Sequence, residues 1–151
     1  MKKVSGRWIA VGAVLAAAAG VVLSSSPVQA TPSTSTSKVL AQAPIGGLRV
    51  VAANKTVTGQ PWAALLATYG ISDGYVVEND FQPGQSTGWH SHPGPSLIFV
   101  VKGSVTNYQS DVPNCKGVTY LAGTTFVDSG GTDVHELVND GKTPAETIAV
   151  Q

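Results

Sequence analysis

The sequence predicts an all-β domain, a sandwich or a barrel, and two observations carry that expectation. Beyond Gly70 the chain falls into seven or eight short β-prone runs, separated by turns built on glycine, proline or Asn-Asp-Gly. Short strands joined by tight turns have this rhythm. Glycine (17) and proline (9) are abundant in a chain of 151 residues that is still 42% hydrophobic, so turns are plentiful while enough apolar side chain remains for one core. Charged residues make up only 12%, about half the usual ~25%.

The first segment reads as an export signal. Lys2, Lys3 and Arg7 precede an apolar run from Trp8 to Leu23, which is 16 residues long and short of the ~20 needed to span a bilayer. Ser24-Ser25-Ser26-Pro27 breaks any helix, and Val28-Gln29-Ala30 offers the small residues a signal peptidase requires. Residues 1–30 are therefore expected to be a signal peptide cleaved after Ala30, giving a secreted, periplasmic or cell-envelope protein with no stable membrane insertion. The mature chain keeps Lys38, Arg49, Lys55, Lys102, Lys116 and Lys142 against nine acids, a net charge of −3. Such a chain has no electrostatic claim on nucleic acid or anionic membranes.

Thr31-Pro32-Ser33-Thr34-Ser35-Thr36-Ser37 has no apolar side chain to bury, so residues 31–47 read as a flexible Ser/Thr/Pro-rich linker. The composition shift at Ile45-Gly46-Gly47-Leu48 places the folded domain at 48–151. One short helix is expected at its N-terminal end. Pro61 suits a first helical position, Trp62, Leu65, Leu66 and Tyr69 recur at i, i+3, i+4, i+7, and Gly70 can end it. That stripe is read as packing rather than as a ligand box.

The β-prone runs follow in order: Tyr75–Phe81, Gln85–His92, Ser96–Lys102, Ser104–Gln109, Val118–Leu121, Thr124–Val127, Val134–Val138 and Ala145–Val150. Leu97-Ile98-Phe99-Val100-Val101 is apolar at every position and is expected to be a central strand buried on both faces. Phe81, Phe99, Tyr108 and Phe126 are expected in the core or lining a pocket. The chain stops within the apolar stretch Thr147–Gln151 with no turn after it, which leaves a C-terminal truncation open. No phosphate-cradling glycine loop, Gly-x-Ser-x-Gly elbow, His-Glu-x-x-His or cysteine pair is present, so the enzyme classes and zinc sites tied to those motifs are disfavoured. Cys115 is the single cysteine. It excludes an internal disulfide framework and stands as a free thiol, a crosslink between chains or half of a missing pair.

The three histidines are the most informative residues. His90 and His92 are separated by one residue in a β-prone run, so their side chains are expected on one strand face, about 6.5–7 Å apart along the backbone. Two imidazoles so placed can reach one ion at ~2.0–2.2 Å each. His135, in another run, can supply a third ligand from a facing wall, whereas Glu136 beside it points the opposite way. His90, His92 and His135 are thus the candidate metal ligands. Trp89 and Ser91, flanking them, are expected to face away.

At these residues the chain resembles the cupin superfamily. Gly84, His90-Ser91-His92 and Gly103 fit the first family motif, with Ser96 where a glutamate stands. Gly123, Ser129 in the proline place, Gly131, His135 and Asn139 fit the second, with one extra residue before the histidine. The resemblance covers roughly Gly74 to Val150. It implies a small jelly-roll-type β-barrel with one divalent transition metal ion (Fe, Mn, Cu, Ni or Zn) in its open end, and a homodimer formed through the outer sheet. Asn139 is read as structural, in a turn where its side chain bonds backbone.

The departure at Ser96 removes the family's anionic ligand and leaves three neutral imidazoles. This set is similar to that of the thiol dioxygenases, which are cupins, and to the three-histidine zinc sites. Three functions are compatible with the sequence: a small-molecule oxygenase or oxidoreductase, a non-catalytic module that binds a small ligand or the metal, or a metal-free structural cupin that acts as a dimerisation unit. No catalytic acid–base residue is identifiable beside the histidines, and no organic cofactor is indicated.

Overall fold

The computed structural model describes residues 30–56 and 58–151. The expected signal peptide lies outside the described residues, Ala30 excepted. Among the described residues there are ten strands: β1 Thr36–Ile45, β2 Arg49–Lys55, β3 Pro61–Ala67, β4 Ser72–Phe81, β5 Ser96–Lys102, β6 Ser104–Gln109, β7 Val118–Leu121, β8 Thr125–Asp128, β9 His135–Val138 and β10 Ala145–Val150. They form a five-stranded sheet in the order β1-β4-β10-β5-β8, a three-stranded sheet in the order β7-β6-β9 and a separate hairpin, β2-β3. Every pairing is antiparallel.

The two larger sheets share one core. Phe81, Ile98, Val100, Phe126, Ala145 and Ala149 come from the five-stranded sheet, and Val105 and Leu137 from the three-stranded sheet. Tyr120 on β7 stacks on Phe126 with ring centroids 4.1 Å apart. A single residue, Gly103, carries the chain from β5 into β6 and so from one sheet to the other. Its φ is +65°, and a Cβ there would lie 2.6 Å from the Pro144 carbonyl oxygen. Only glycine meets both conditions.

Most of the expected strands appear within a residue or two of their sequence boundaries. Gln85–His92 is instead an extended segment held by two isolated bridges, Ser86 with Val138 and His90 with His135.

Three expectations need correction. The helix on Pro61, Trp62, Leu65, Leu66 and Tyr69 is strand β3, paired residue for residue with β2 from Arg49–Ala67 to Lys55–Pro61. Its apolar residues are contiguous enough to fit either period, and a tight turn at Gly59 with φ +82° favours the hairpin. Trp62, Leu65, Leu66 and Tyr69 are all exposed rather than packed.

The expected linker also contains structure, because β1 pairs along its length with β4. Thr31 and Thr34 just before it bond the backbone of Trp89 and Ser86. Hydroxyl-rich segments can satisfy neighbouring backbone groups even when they have nothing to bury.

Finally, β5 is buried on one face only. Ile98 and Val100 point inward, while Leu97 (41% exposed) and Phe99 (37%) face out, and no layer covers that side among the described residues. Phe81 and Phe126 are in the core as expected. Tyr108 is half-buried and donates its hydroxyl to Asp140 at 2.7 Å.

Asn139 has the structural role its turn position suggests. It is fully buried. Its Nδ2 donates to the carbonyls of Phe81 (3.1 Å) and Thr143 (2.9 Å), and its Oδ1 accepts from the Gly141 amide (3.0 Å). The side chain thereby ties β4 to the turn between β9 and β10. Asn139→Ala orphans those buried groups, and a loss of about 2–4 kcal/mol is expected in urea denaturation.

Candidate metal centre

The site is built first from backbone. His90 and His135 exchange both main-chain hydrogen bonds at 3.0 Å, which fixes the two residues as a directly opposed antiparallel pair. His92 is fixed differently. Its carbonyl accepts from the Gly131 amide at 2.7 Å, and the 92–94 turn lies tight against Gly130, where a Cβ would come within 2.1 Å of the Gly94 carbonyl oxygen. Gly130 has φ +67°, so the close approach and the backbone shape both require glycine. The mouth is bordered by the N-terminal segment, where the Trp89 amide donates to Thr31 Oγ1 at 2.6 Å.

The three imidazoles then converge. Their ring centroids are 4.5 Å (His90–His135), 5.3 Å (His92–His135) and 6.0 Å (His90–His92) apart, and each offers a ring nitrogen within 4.8 Å of the others. Each Nδ1 faces a backbone carbonyl two residues away: Gly88 for His90 (2.8 Å), Gly94 for His92 (2.5 Å) and Asp133 for His135 (3.3 Å). A carbonyl oxygen can only accept, so each Nδ1 carries the proton and donates. Nε2 is thus the ring nitrogen left for other partners; that of His90 has none among the described residues, and those of His92 and His135 face the Asp128 carboxylate. Metal-ligating histidines are commonly oriented in this way.

All three sequence candidates are thus brought together, and the two flanking residues are not part of the cluster. Trp89 and Ser91 border a separate depression, and Glu136 does not line the cavity beside the histidines. Cys115 is exposed and unpaired, away from the cavity.

Asp128, which the sequence reading missed, belongs to the centre. It is buried at the end of β8. Its Oδ2 is 3.0 Å from His92 Nε2 and in closer contact with His135 Nε2, and its Oδ1 accepts from the Gly130 amide at 3.0 Å. A sequence signal existed: Phe126 and Asp128 alternate with exposed Thr125 and Val127, so a core-facing Phe126 implies a core-facing Asp128. Ser96, in the family glutamate position, is also fully buried, and its Oγ has no hydrogen-bond partner.

The electrostatics follow from this packing. Burial holds His90 below its usual 6.5, with the neighbouring His135 and His92 adding to the effect against the opposing pull of the Gly88 carbonyl. For His135 burial acts in the same direction, but the Asp128 carboxylate at Nε2 overrides it and the pKa is raised above 6.5. Burial alone would raise Asp128 too. The hydrogen bonds from His135 and Gly130 prevail and lower it from 3.8 to about 2.

In the metal-free protein, Asp128 therefore contributes stability that is present above pH 3.8 and lost as pH falls toward about 2. His135 contributes stability that is complete below pH 6.5 and lost as pH rises through its raised folded value. Thermal melts of metal-free protein should show this pair stabilising most between those two limits. An NMR titration should find His135 titrating above 6.5 and His90 below it.

Comparison with known proteins agrees with the architecture. The family model described as Cupin domain matches residues 77–151. A crystal structure of a cupin superfamily protein from Desulfitobacterium hafniense aligns over 82% of each chain with a TM-score of 0.50 at 13% identity, a likeness of fold alone. A conserved protein of Klebsiella pneumoniae with a double-stranded beta-helix domain is 27% identical over 51% of this chain and 64% of its own, with a TM-score of 0.45. An oxalate oxidase is 28% identical over 51% of this chain and 40% of its own, also at 0.45. The matched region spans less than two thirds of either of the last two. None of the curated proteins matches the chain. The family match runs from within β4 to the last residue and takes in every side chain of the candidate centre; the chain belongs to the cupin superfamily.

Proposed function

We propose that this is an exported cupin that holds one divalent transition metal ion on His90, His92 and His135 and oxidises a small molecule in the cavity beside it. The observation that carries the reading is the convergence of the three imidazoles: each Nδ1–H is committed to a carbonyl, and the three rings offer nitrogens within 4.8 Å of one another. Neutral imidazoles suit Zn, Cu, Fe and Ni alike, so the donor set fits a transition ion without naming it. The partnerless, buried Ser96 Oγ beside them also fits a site that takes a polar guest.

The adjoining cavity has a volume of about 260 Å³, suited to a small ligand rather than a polymer. Val77, Ile98, Leu137 and Ala149 supply apolar wall, and Asn79 and Thr147 add polar groups that can orient a guest. A redox-active ion held there would supply the one-electron chemistry that lets dioxygen react with a closed-shell molecule. The chain's own contributions are to fix the ligand nitrogens through backbone, to exclude bulk water by burying His135 and Asp128, and to hold the substrate against the centre.

The test is elemental analysis of untagged protein beside His90→Ala/His135→Ala. About one equivalent of a redox-active metal, lost in the double variant, is expected, followed by dioxygen consumption with small-molecule substrates. One equivalent of zinc, or bound metal without turnover, would establish a binding module instead. Metal that does not depend on the histidines would refute the centre altogether.

The export part of the proposal rests on the basic start, the apolar run and the small residues before Thr31. Residues from Thr31 onward bond the site loop, so cleavage after Ala30 would leave those contacts in place. The intact mass of protein recovered outside the cytoplasm should correspond to residues 31–151.

A further inference from the structure

The glutamate missing from the family pattern leaves three neutral ligands facing a dication, yet the centre is not without negative charge. Ser96 on β5 and Asp128 on β8 are direct partners in the antiparallel ladder. Directly opposed residues of such a pair present their side chains on the same face, and here both are buried toward the cavity. The carboxylate thus stands one strand over from where the family motif places it.

We propose that Asp128 is the fourth protein ligand of the metal, replacing across the strand pair the carboxylate that Ser96 lacks. This rests on the three-histidine reading above and adds to it the anionic donor.

Three observations support it. The Asp128 side chain is 1% exposed, and a carboxylate so enclosed needs a cationic partner. Among the described residues no lysine or arginine pairs with it; its partners there are His92, His135 and the Gly130 amide. Oδ1 is anchored by that amide, which leaves Oδ2 beside the Nε2 atoms of His92 and His135. The 3.0 Å from Oδ2 to His92 Nε2 is also the separation of two donors that sit at right angles on an ion with bonds of ~2.1 Å, about 3 Å. Asp133, two residues before His135, is the other nearby acid. It belongs with Asp128 and His135 to a second potential ligand group, but its carboxylate receives the Gln109 side-chain amide at 3.3 Å and does not contact His90 or His92.

The experiment uses cobalt(II) as probe on the untagged protein and on Asp128→Asn, which keeps the shape and an oxygen for the Gly130 amide. Affinity is read by equilibrium dialysis and the ligand field by the visible spectrum. The expected result is a loss of at least about 10-fold in affinity, the lower end of what even supporting groups around a metal are worth, with a changed cobalt spectrum. A second variant, Ser96→Glu combined with Asp128→Asn, returns a carboxylate to the family position and is expected to bind within about threefold of the parent. Melting temperatures of the metal-free variants check that each is folded.

An Asp128→Asn protein with parental affinity and spectrum would overturn Asp128 as a ligand while leaving the three-histidine centre intact. So would an unchanged spectrum at weaker affinity, since that marks a residue that only positions the histidines. A double variant no tighter than Asp128→Asn would overturn the exchange of roles between the two positions. Failure of the parent itself to bind cobalt through its histidines would remove both the centre and this ligand.

Discussion

A carboxylate buried inside a small β-domain must be matched by positive charge or by donors, because isolating it from water costs several kcal/mol. Among the described residues, Asp128 meets this condition through His92, His135 and the Gly130 amide. The arrangement of that end of the molecule can be traced from it. The Gly130 amide reaches Oδ1 from a left-handed turn, and the same turn packs so closely on residues 92–94 that no side chain fits between them. The turn that satisfies the carboxylate therefore also seats His92. His135, at the start of β9, reaches Oδ2 while its backbone pairs with His90. One buried charge and one backbone pair between them locate all three imidazoles.

The orientation of the rings depends on a second, weaker set of bonds. Each Nδ1 finds a carbonyl two residues away, a local interaction that needs no tertiary partner. The ring tautomers are thereby set before any ion or substrate is considered, and a centre organised in advance loses less freedom on binding than one that must assemble. The cost is carried by backbone that only glycine can adopt, at Gly130 beside His92 and at Gly88 beside His90. At Gly88 a Cβ would lie 2.2 Å from the Thr31 carbonyl oxygen.

Much of this was legible in the sequence. Gly and Pro punctuation located β4 to β10 closely, because a strand can be only as long as the distance between its turns. His90, His92 and His135 could be picked out because they are the only histidines and two of them share a strand-like spacing. Three things were not legible, each for a physical reason. Trp62, Leu65 and Leu66 lie in a contiguous apolar run, and such a run satisfies a helical and an extended period equally until a partner strand is known. The Ser/Thr-rich segment before β1 buries no apolar side chain, and its order comes from hydroxyl and amide bonds to Ser86 and Trp89 that composition does not reveal. Asp128 depends on register. Which residue of β8 stands opposite Ser96 is decided by how the strands pair, and no local pattern encodes that.

The pairing also bears on why serine occupies position 96. Acidic side chains directly opposed on the buried face of two strands would repel each other at close range in a poorly hydrated space. A glutamate at 96 facing Asp128 would force one carboxylate to take up a proton or the pair to separate. A small neutral residue at 96 removes that conflict and leaves room for the Asp128 carboxylate to reach His92 and His135. The absent glutamate and the buried aspartate are, on this argument, two halves of one arrangement: the negative charge of the centre has moved across a strand, and a family pattern read along the chain records only its loss.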